Sequence, residues 1–290
     1  MSAAKDAPPP LPEPLGVAVA DSHTHLDMQS TTVEEALARA AAVGVTTVVQ
    51  VGCDLKGSRW AAETAASWEN VWAAVALHPN EAPRIVSGDP DGWSRQGARQ
   101  AGGDAALDEA LAEIDRLAAL PHVKAVGETG LDHFRTGADG MAAQERSFRA
   151  HIEIAKRHGK ALVIHDRDAH ADVLRILREE GAPERTVFHC YSGDAEMAEL
   201  CARSGYFMSF AGNMTFKNAQ PLRDALAVAP LELVLVETDA PFLTPAPYRG
   251  RPNAPYLIPI TVRAMAAVKA VHEDVLAAAV AENTARAFDY

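Results

Sequence analysis

The stretch Val17-Ala18-Val19-Ala20-Asp21-Ser22-His23-Thr24-His25 joins a short apolar run to two histidines that are two residues apart. Side chains at positions i and i+2 of a strand lie on the same face, so His23 and His25 can bind one metal ion at the end of a buried strand. An open sheet that binds nucleotides carries a glycine fingerprint after its first strand. The histidines at this position therefore favour a metal-binding α/β fold.

Beyond this stretch the chain alternates short apolar runs with longer segments of helical periodicity. Such alternation predicts a parallel sheet covered by helices. Eight strands suit a closed (β/α)8 TIM barrel better than an open sheet. The predicted strands are Val17–Ala20, Thr46–Val51, Val71–Leu77, Val123–Gly127, Ala161–Ile164, Thr186–Phe188, Tyr206–Phe210 and Leu233–Val236.

Length and composition agree with one domain. The chain has 290 residues, of which 48% are hydrophobic and 23% charged, and a barrel of this class typically uses about 250 residues. We predict a disordered, Pro-rich leader over residues 1–16 and a single TIM-barrel hydrolase domain over residues 17–290. Residues 82–104, rich in Pro, Gly, Asp and Ser, are predicted to form a long loop insertion.

Charge and cysteine content restrict the partners and the compartment. The net charge of −12 excludes a protein that coats nucleic acid by broad electrostatics. It is compatible with an enzyme that engages a strand end through a few arginines and bound cations. Cys53, Cys190 and Cys201 are odd in number and widely spaced, which predicts reduced thiols and a cytoplasmic location. We expect no membrane span and no obligate protein partner.

Metal-ligand residue types recur where the later strands end. In a barrel these C-terminal ends carry the catalytic groups. Imidazole with carboxylate suits Zn, Mn or Fe, and carboxylate-rich sites also accept Mg. The residues at these ends are His78, Glu128, His165, His189 and Asp239.

The motifs around these residues resemble the TatD family of metal-dependent hydrolases, within the amidohydrolase-like superfamily. They occur in the family's order from residue 21 to residue 255, so the resemblance covers nearly the whole chain after the leader. The matching stretches are DSHTHLD (21–27), LHP (77–79), GETGLD (127–132), IH-x-R (164–167), HCYSG (189–193), ETDAPFLTP (237–245) and RGRPNAP (249–255).

The resemblance implies two divalent cations, Mg, Mn or Zn, that share one carboxylate. Two ions about 3.5–4 Å apart can hold the attacking and leaving oxygens of a phosphodiester. The implied ligands are Glu128 as the bridge, His23, His25 and Asp239 for one ion, and His165 and His189 for the other.

Roles follow from these positions. Asp239 is predicted to accept the proton of a metal-held water. Glu128 is the other predicted catalytic residue, as the carboxylate that bridges the two ions. The resemblance suggests that His78 faces the substrate phosphate, and Arg251 can form a guanidinium clamp on phosphate oxygens. From its position, Arg167 can be either a residue of the site or a solvent-exposed loop arginine. Glu237 can either support a metal ligand or pack beneath the site, and the sequence does not choose between these two roles.

The predicted function is hydrolysis of phosphodiester bonds by a TatD-type deoxyribonuclease that trims DNA from its 3′ end. We expect the DNA end that it binds to be single-stranded. One alternative keeps the metal site and changes the bond, giving an amide or ester hydrolase such as an aminoacyl-tRNA deacylase. A remote alternative is a non-catalytic barrel that serves as a binding scaffold, because fold alone does not fix function.

Overall fold

The computed structural model describes residues 7–88 and 102–290. Eight strands form one sheet in chain order, and a parallel bridge from Thr24 to Ala240 links its last strand to its first. The chain has the predicted (β/α)8 TIM-barrel fold. The strands are β1 Val19–Thr24, β2 Val45–Gly52, β3 Val71–Val75, β4 Val123–Asp132, β5 Ala161–Arg167, β6 Thr186–Phe188, β7 Phe207–Phe210 and β8 Val234–Val236.

The helices alternate with these strands. Within the described ranges they are α1 Val33–Ala41, α2 Leu55–Ser67, α3 Glu81–Ser87, α4 Asp104–Ala118, α5 Ala138–His158, α6 His170–Glu180, α7 Ala195–Arg203, α8 Gln220–Val228, α9 Ile258–Lys269 and α10 Glu273–Phe288. None of them is both long and apolar enough to cross a membrane.

The described chain separates into two compact units. The first unit comprises Met1–Gln50, Glu69–Trp72 and Val187–Tyr290, and the second comprises Val51–Trp68 and Ala73–Thr186. The first therefore holds β1, β7 and β8, and the second holds β4 and β5. The single domain over residues 17–290 stays a prediction.

β1, β4 and β5 extend by three or more residues further toward their C-terminal ends than the apolar pattern predicts. β1 continues to Thr24, because the backbone beyond it pairs with the segment after β8. β4 and β5 continue together, with Asp132 opposite Arg167. Several functional side chains are consequently held on strand backbone, where hydrogen bonds fix their direction.

Two glycines permit the close approach of β4 to β5. A Cβ atom on Gly127 would lie 2.4 Å from Cβ of Val163, and one on Gly130 would lie 2.1 Å from the carbonyl oxygen of His165. Gly130 also has φ +137°, which side chains disfavour. Both positions flank Glu128, so the glycines of the GETGLD motif serve the backbone geometry beside the site.

The N-terminal segment differs from the predicted disordered leader. Residues 1–6 lie outside the described residues, but residues 7–16 are held by contacts within the first unit. The guanidinium of Arg251 donates to the carbonyls of Ala7 and Pro8, and the hydroxyl of Tyr256 donates to Pro9. Proline lacks an N–H but keeps its carbonyl, so a Pro-rich stretch can be bound through acceptors alone.

The predicted loop insertion over residues 82–104 is partly wrong. Its first part belongs to α3, which ends at Ser87. The next residue, Gly88, terminates the helix in the left-handed conformation with φ +73°. Residues 89–101 lie outside the described residues, and α4 begins at Asp104. Cys53, Cys190 and Cys201 form no disulfide in the described part of the chain, and the reduced state of the thiols stays a prediction.

Candidate metal centre

In the first unit, three predicted ligands meet where β1 and β8 end. Nε2 of His25 lies 3.5 Å from Oδ1 of Asp239, and Nε2 of His23 lies 4.0 Å from the same oxygen. The ligand atoms of all three side chains lie within 4.8 Å of one another. Both imidazoles are almost fully buried, so the group presents one carboxylate and two imidazoles to a common point.

The backbone around Asp239 is fixed by hydrogen bonds to the first strand. The N–H of Asp239 donates to the carbonyl of His23, and the N–H of His25 donates to Ala240. Asp239 has φ +53°, in the left-handed region, where a residue other than glycine needs such support. These bonds hold the histidine pair and the carboxylate in one arrangement.

A buried aspartate stabilises this connection between β1 and the segment after β8. Asp21 is fully buried and accepts hydrogen bonds from both the backbone N–H and the hydroxyl of Thr238. Burial raises the pKa of the Asp21 carboxyl from 3.8 to about 7, although the bonds from Thr238 oppose the shift. Asp21 thus anchors the segment that carries Asp239, as its place before the histidines suggests.

The fourth predicted ligand of this unit, His189, is oriented by Glu237. Nδ1 of His189 lies 3.1 Å from Oε1 of Glu237, and the N–H of Cys190 donates to the same oxygen at 2.8 Å. The His189 ring stacks on His23 with 3.9 Å between centroids. A carboxylate on Nδ1 leaves Nε2 as the metal-binding nitrogen, so of the two readings of Glu237 the structure supports the ligand-orienting one.

Glu237 also has a second feature that fits a cation. Its Oε2 atom is buried and has no hydrogen-bond partner among the described residues. An unpaired buried carboxylate oxygen is costly unless a positive charge compensates it. The ligand atoms of Glu237, His189 and His23 lie within 4.8 Å of one another, so the donor set fits a divalent ion.

In the second unit, His165 lies between two carboxylates. Its Nδ1 is 3.1 Å from Oε2 of Glu128, and its Nε2 is 3.3 Å from Oδ2 of Asp132. The His78 ring meets the His165 ring edge-on, with 4.4 Å between centroids. Ligand atoms of His78, Asp132 and His165 lie within 4.8 Å of one another. This unit therefore holds a second donor set of imidazoles and carboxylates.

Asp132 is held as an ionised carboxylate. Burial raises its pKa, but hydrogen bonds from His165, from the N–H of Arg135 and from Asn80 outweigh burial and hold the pKa below its usual range. The side chain of Gln144 accepts from the N–H of Asp132. Asp132 was not among the predicted ligands, although it closes the GETGLD motif, because its approach to His165 depends on the register of β4 against β5.

The six predicted ligands divide between the two units. His23, His25, His189 and Asp239 meet in the first unit, and Glu128 and His165 meet in the second. The sharing of Glu128 by two ions stays a prediction. Cys53 was also missed as a neighbour of this residue: its thiol donates to Oε1 of Glu128 at 3.2 Å.

The two predicted substrate contacts differ in their surroundings. His78 belongs to the donor set of the second unit, and its Nδ1 accepts from the N–H of Asn80 at 3.1 Å. The Arg251 guanidinium donates to Ala7 and Pro8 at 2.8 and 2.7 Å. A phosphate would have to compete with these two carbonyls, so the phosphate role of Arg251 stays a prediction.

Comparison with known proteins assigns the family. A family model described as "TatD related DNase" matches residues 20–289. The chain belongs to the TatD family. It is 44% identical over 277 residues to the uncharacterized metal-dependent hydrolase TatD of Mycobacterium tuberculosis, covering 92% of this chain and 97% of the relative. It is 36% identical over 274 residues to the uncharacterized metal-dependent hydrolase YcfH of Escherichia coli, covering 92% and 94%.

A solved TatD-family structure supports the same assignment. The crystal structure of the TatD homologue YjjV from Escherichia coli superposes with a TM-score of 0.80 at 26% sequence identity, covering 94% of this chain and 98% of that one. Family membership and the donor sets of both units make the chain a metal-dependent hydrolase. Candidate cation ligands are present in each unit.

Proposed function

We propose that this TatD-family chain hydrolyses phosphodiester bonds with two divalent cations, Mg, Mn or Zn, as a deoxyribonuclease that trims DNA from a 3′ end. The observation that carries the proposal is the convergence of His23, His25 and Asp239 within 4.8 Å in one unit; the other unit holds an imidazole–carboxylate set of its own. Glu128 and His165, whose side chains are 3.1 Å apart, would hold a divalent cation in the second unit.

The residues of the chain divide the work between them. Bound divalent cations would lower the pKa of a coordinated water and neutralise charge on the phosphodiester oxygens. Asp239, with 14% of its side chain exposed, accepts the proton of the attacking water; general-base help of this kind contributes about 10²–10⁴-fold. Glu237 holds His189 in the tautomer that leaves Nε2 available.

His78 serves as a hydrogen-bond donor to the substrate. The N–H of Asn80 donates to its Nδ1, so in the neutral ring the proton resides on Nε2. A protonated Nε2 donates to a phosphate oxygen and is a poor metal ligand. This tautomer supports the substrate role of His78 over membership of a metal shell.

DNA as substrate rests on similarity to the family described as TatD related DNase. The net charge of −12 requires that a polyanion be engaged locally, through cations and a few basic or donor groups such as His78 and Arg251. A single-stranded end suits such a restricted contact, because it presents few phosphates. Reduced cysteines agree with work in the cytoplasm.

The test is a substrate panel with metal-stripped protein. Single-stranded DNA, RNA and aminoacyl-tRNA are offered with Mg²⁺, Mn²⁺ or Zn²⁺, each in a concentration series. We expect nucleoside monophosphates from the 3′ end of DNA. Release of free amino acid from aminoacyl-tRNA, without cleavage of DNA, would show that the enzyme is a deacylase and not a nuclease.

Variants separate catalysis from binding alone. Glu128→Gln and Asp239→Asn should each reduce kcat on DNA by at least 100-fold. Exposed residues provide matched controls, Glu109→Gln in the second unit and Asp224→Asn in the first, which should retain activity. Absence of turnover on every substrate and metal would favour the non-catalytic scaffold.

A further inference from the structure

An exposed aromatic ring and an arginine stand together beyond β4 and β5. Phe134 is 64% exposed, two residues after Asp132. The guanidinium carbon of Arg167, at the end of β5, lies 4.0 Å from the centre of the Phe134 ring. A phenylalanine this exposed leaves apolar ring surface in water, and that surface is accessible to a ligand.

The pair is fixed by the backbone on both sides. Asp132 and Arg167 are partners in the β4–β5 ladder, and the N–H of His133 donates to the carbonyl of Arg167 at 2.9 Å. Oδ1 of Asp132 accepts from the N–H of Phe134 at 3.0 Å. A ring held in this way loses little conformational entropy when it binds a ligand.

The charge of Arg167 is not neutralised locally. Within the described ranges no carboxylate forms an ion pair with it. Its guanidinium instead lies over the Phe134 ring. The neighbouring Asp166 is engaged by Nδ1 of His170 at 2.7 Å and by the N–H of Ala169. In a chain of net charge −12, an arginine without an ion pair is available to an anionic ligand.

The pair also adjoins the donor set of the second unit. Arg167 lies two residues beyond His165 on one strand, a distance of roughly 6–7 Å. Phe134 follows Asp132, whose carboxylate is 3.3 Å from His165. A ligand whose phosphate reaches His165 would therefore bring its attached group to the aromatic ring.

We propose that Phe134 and Arg167 form a stacking platform for one unpaired nucleobase of the strand being cleaved, with Arg167 also facing its phosphate. The proposal rests on the proposed nuclease function and names a base-binding subsite for it. Stacking on an aromatic ring is worth about 1–3 kcal/mol per base and tolerates any sequence. The platform accordingly favours single-stranded ends, whose bases are free to stack, without selecting a sequence.

The experiment compares intact and base-less substrates. Single-stranded oligonucleotides are used either with all bases or with abasic residues at the last two 3′ positions. Phe134→Leu keeps an apolar side chain and removes the π face, and Arg167→Lys keeps the charge and removes the flat guanidinium. We expect Phe134→Leu to raise KM for the intact strand about 5- to 150-fold, with kcat little changed, and to leave KM for the abasic strand unchanged.

Phe216→Leu is the matched control. Arg249 lies over the Phe216 ring at 4.2 Å, so the same change is made at another arginine–phenylalanine pair. This control should alter KM equally for both oligonucleotides, if at all. Equal effects of Phe134→Leu on intact and abasic strands would overturn the platform while leaving the nuclease function intact.

A binding arm separates the two proposals. The affinity of a fluorescently labelled single strand is measured by anisotropy in EDTA, where no cleavage occurs. Binding that weakens at least 5-fold in Phe134→Leu for the intact strand only supports the platform, even if no metal yields turnover and the nuclease proposal fails. Binding that is unchanged in the variant, or that weakens equally for intact and abasic strands, overturns it.

Discussion

At the scale of single residues, buried carboxylates orient two of the candidate histidines. Glu237 contacts Nδ1 of His189, and Asp132 and Glu128 occupy the two sides of His165. Such partners set ring orientation and basicity, and their loss typically weakens metal binding by about 10–100-fold. These contacts matter as much as the ligands themselves, because an imidazole in the wrong tautomer cannot bind a cation.

Replacing Glu237 by glutamine tests this role. Glu237→Gln keeps the size of the side chain and removes its charge, so we expect the dissociation constant for Mn²⁺ to rise about 10–100-fold. Isothermal titration calorimetry on metal-stripped protein measures it directly. Glu232→Gln, an exposed change in the same unit, should leave the constant unchanged. Equal affinities in both variants would assign Glu237 to packing only.

At the scale of elements, α5 fixes the end of β3 and the end of β4 through its buried face. His151 accepts at Nε2 from the N–H of Leu77 and contacts the Ser147 carbonyl through Nδ1. Gln144, one turn before Ser147, accepts from the N–H of Asp132. Gln144, Phe148 and His151 share one face of α5, and all three are fully buried.

Buried His151 gives a pH-dependent stability. Burial lowers its pKa from 6.5 to about 4. The unfolded chain therefore binds more protons than the folded one between these values, so the stabilisation is complete above pH 6.5 and is lost as the pH falls through about 4. The shift corresponds to about 3 kcal/mol.

Comparison with His151→Gln isolates this contribution. The variant should be less stable than the wild type at pH 7.5, because the bond to Leu77 is weakened. The difference in unfolding free energy should shrink by up to about 3 kcal/mol between pH 6.5 and pH 4, measured by urea denaturation at each pH. A difference that stays constant over this range would contradict the buried neutral state of His151.

A lysine joins two helices of the first unit. Nζ of Lys269, at the end of α9, donates to the carbonyls of Leu226, Ala227 and Ala229 at the end of α8. These are carbonyls that a helix leaves unsatisfied at its C-terminus. Lys269→Met should lower the free energy of unfolding by about 1–2 kcal/mol. Lys217→Met, on the exposed surface, is the control and should change it by less than about 0.5 kcal/mol.

At the scale of the whole molecule, cation binding should be coupled to folding. The donor sets bring together residues distant in sequence, which the unfolded chain does not assemble. A ligand at 100 times its dissociation constant stabilises the folded state by about 2.7 kcal/mol. We expect saturating Mn²⁺ to raise Tm by roughly 5–10 °C over EDTA, measured by differential scanning calorimetry. A His23→Ala/His165→Ala double variant should lose most of this rise, and a rise that persists would place the cations elsewhere.

The sequence alone determined the order and type of the eight strands and the positions of the candidate ligands. Both depend on local pattern: apolar periodicity sets the element, and functional residues follow the C-terminal ends of parallel strands. The same pattern ended β1, β4 and β5 too early, because polar residues that continue a strand resemble a loop until their ladder partners are known.

Only the tertiary structure decided which polar groups face one another. The pairing of Arg251 with Ala7 spans 244 positions, and that of Thr238 with Asp21 spans 217. The roles of Asp132 and Phe134 are evident only from their contacts with residues of β5. The role of Glu237 is evident only from its contact with His189. Contacts between residues so far apart depend on how the chain folds back on itself, and no local periodicity encodes them.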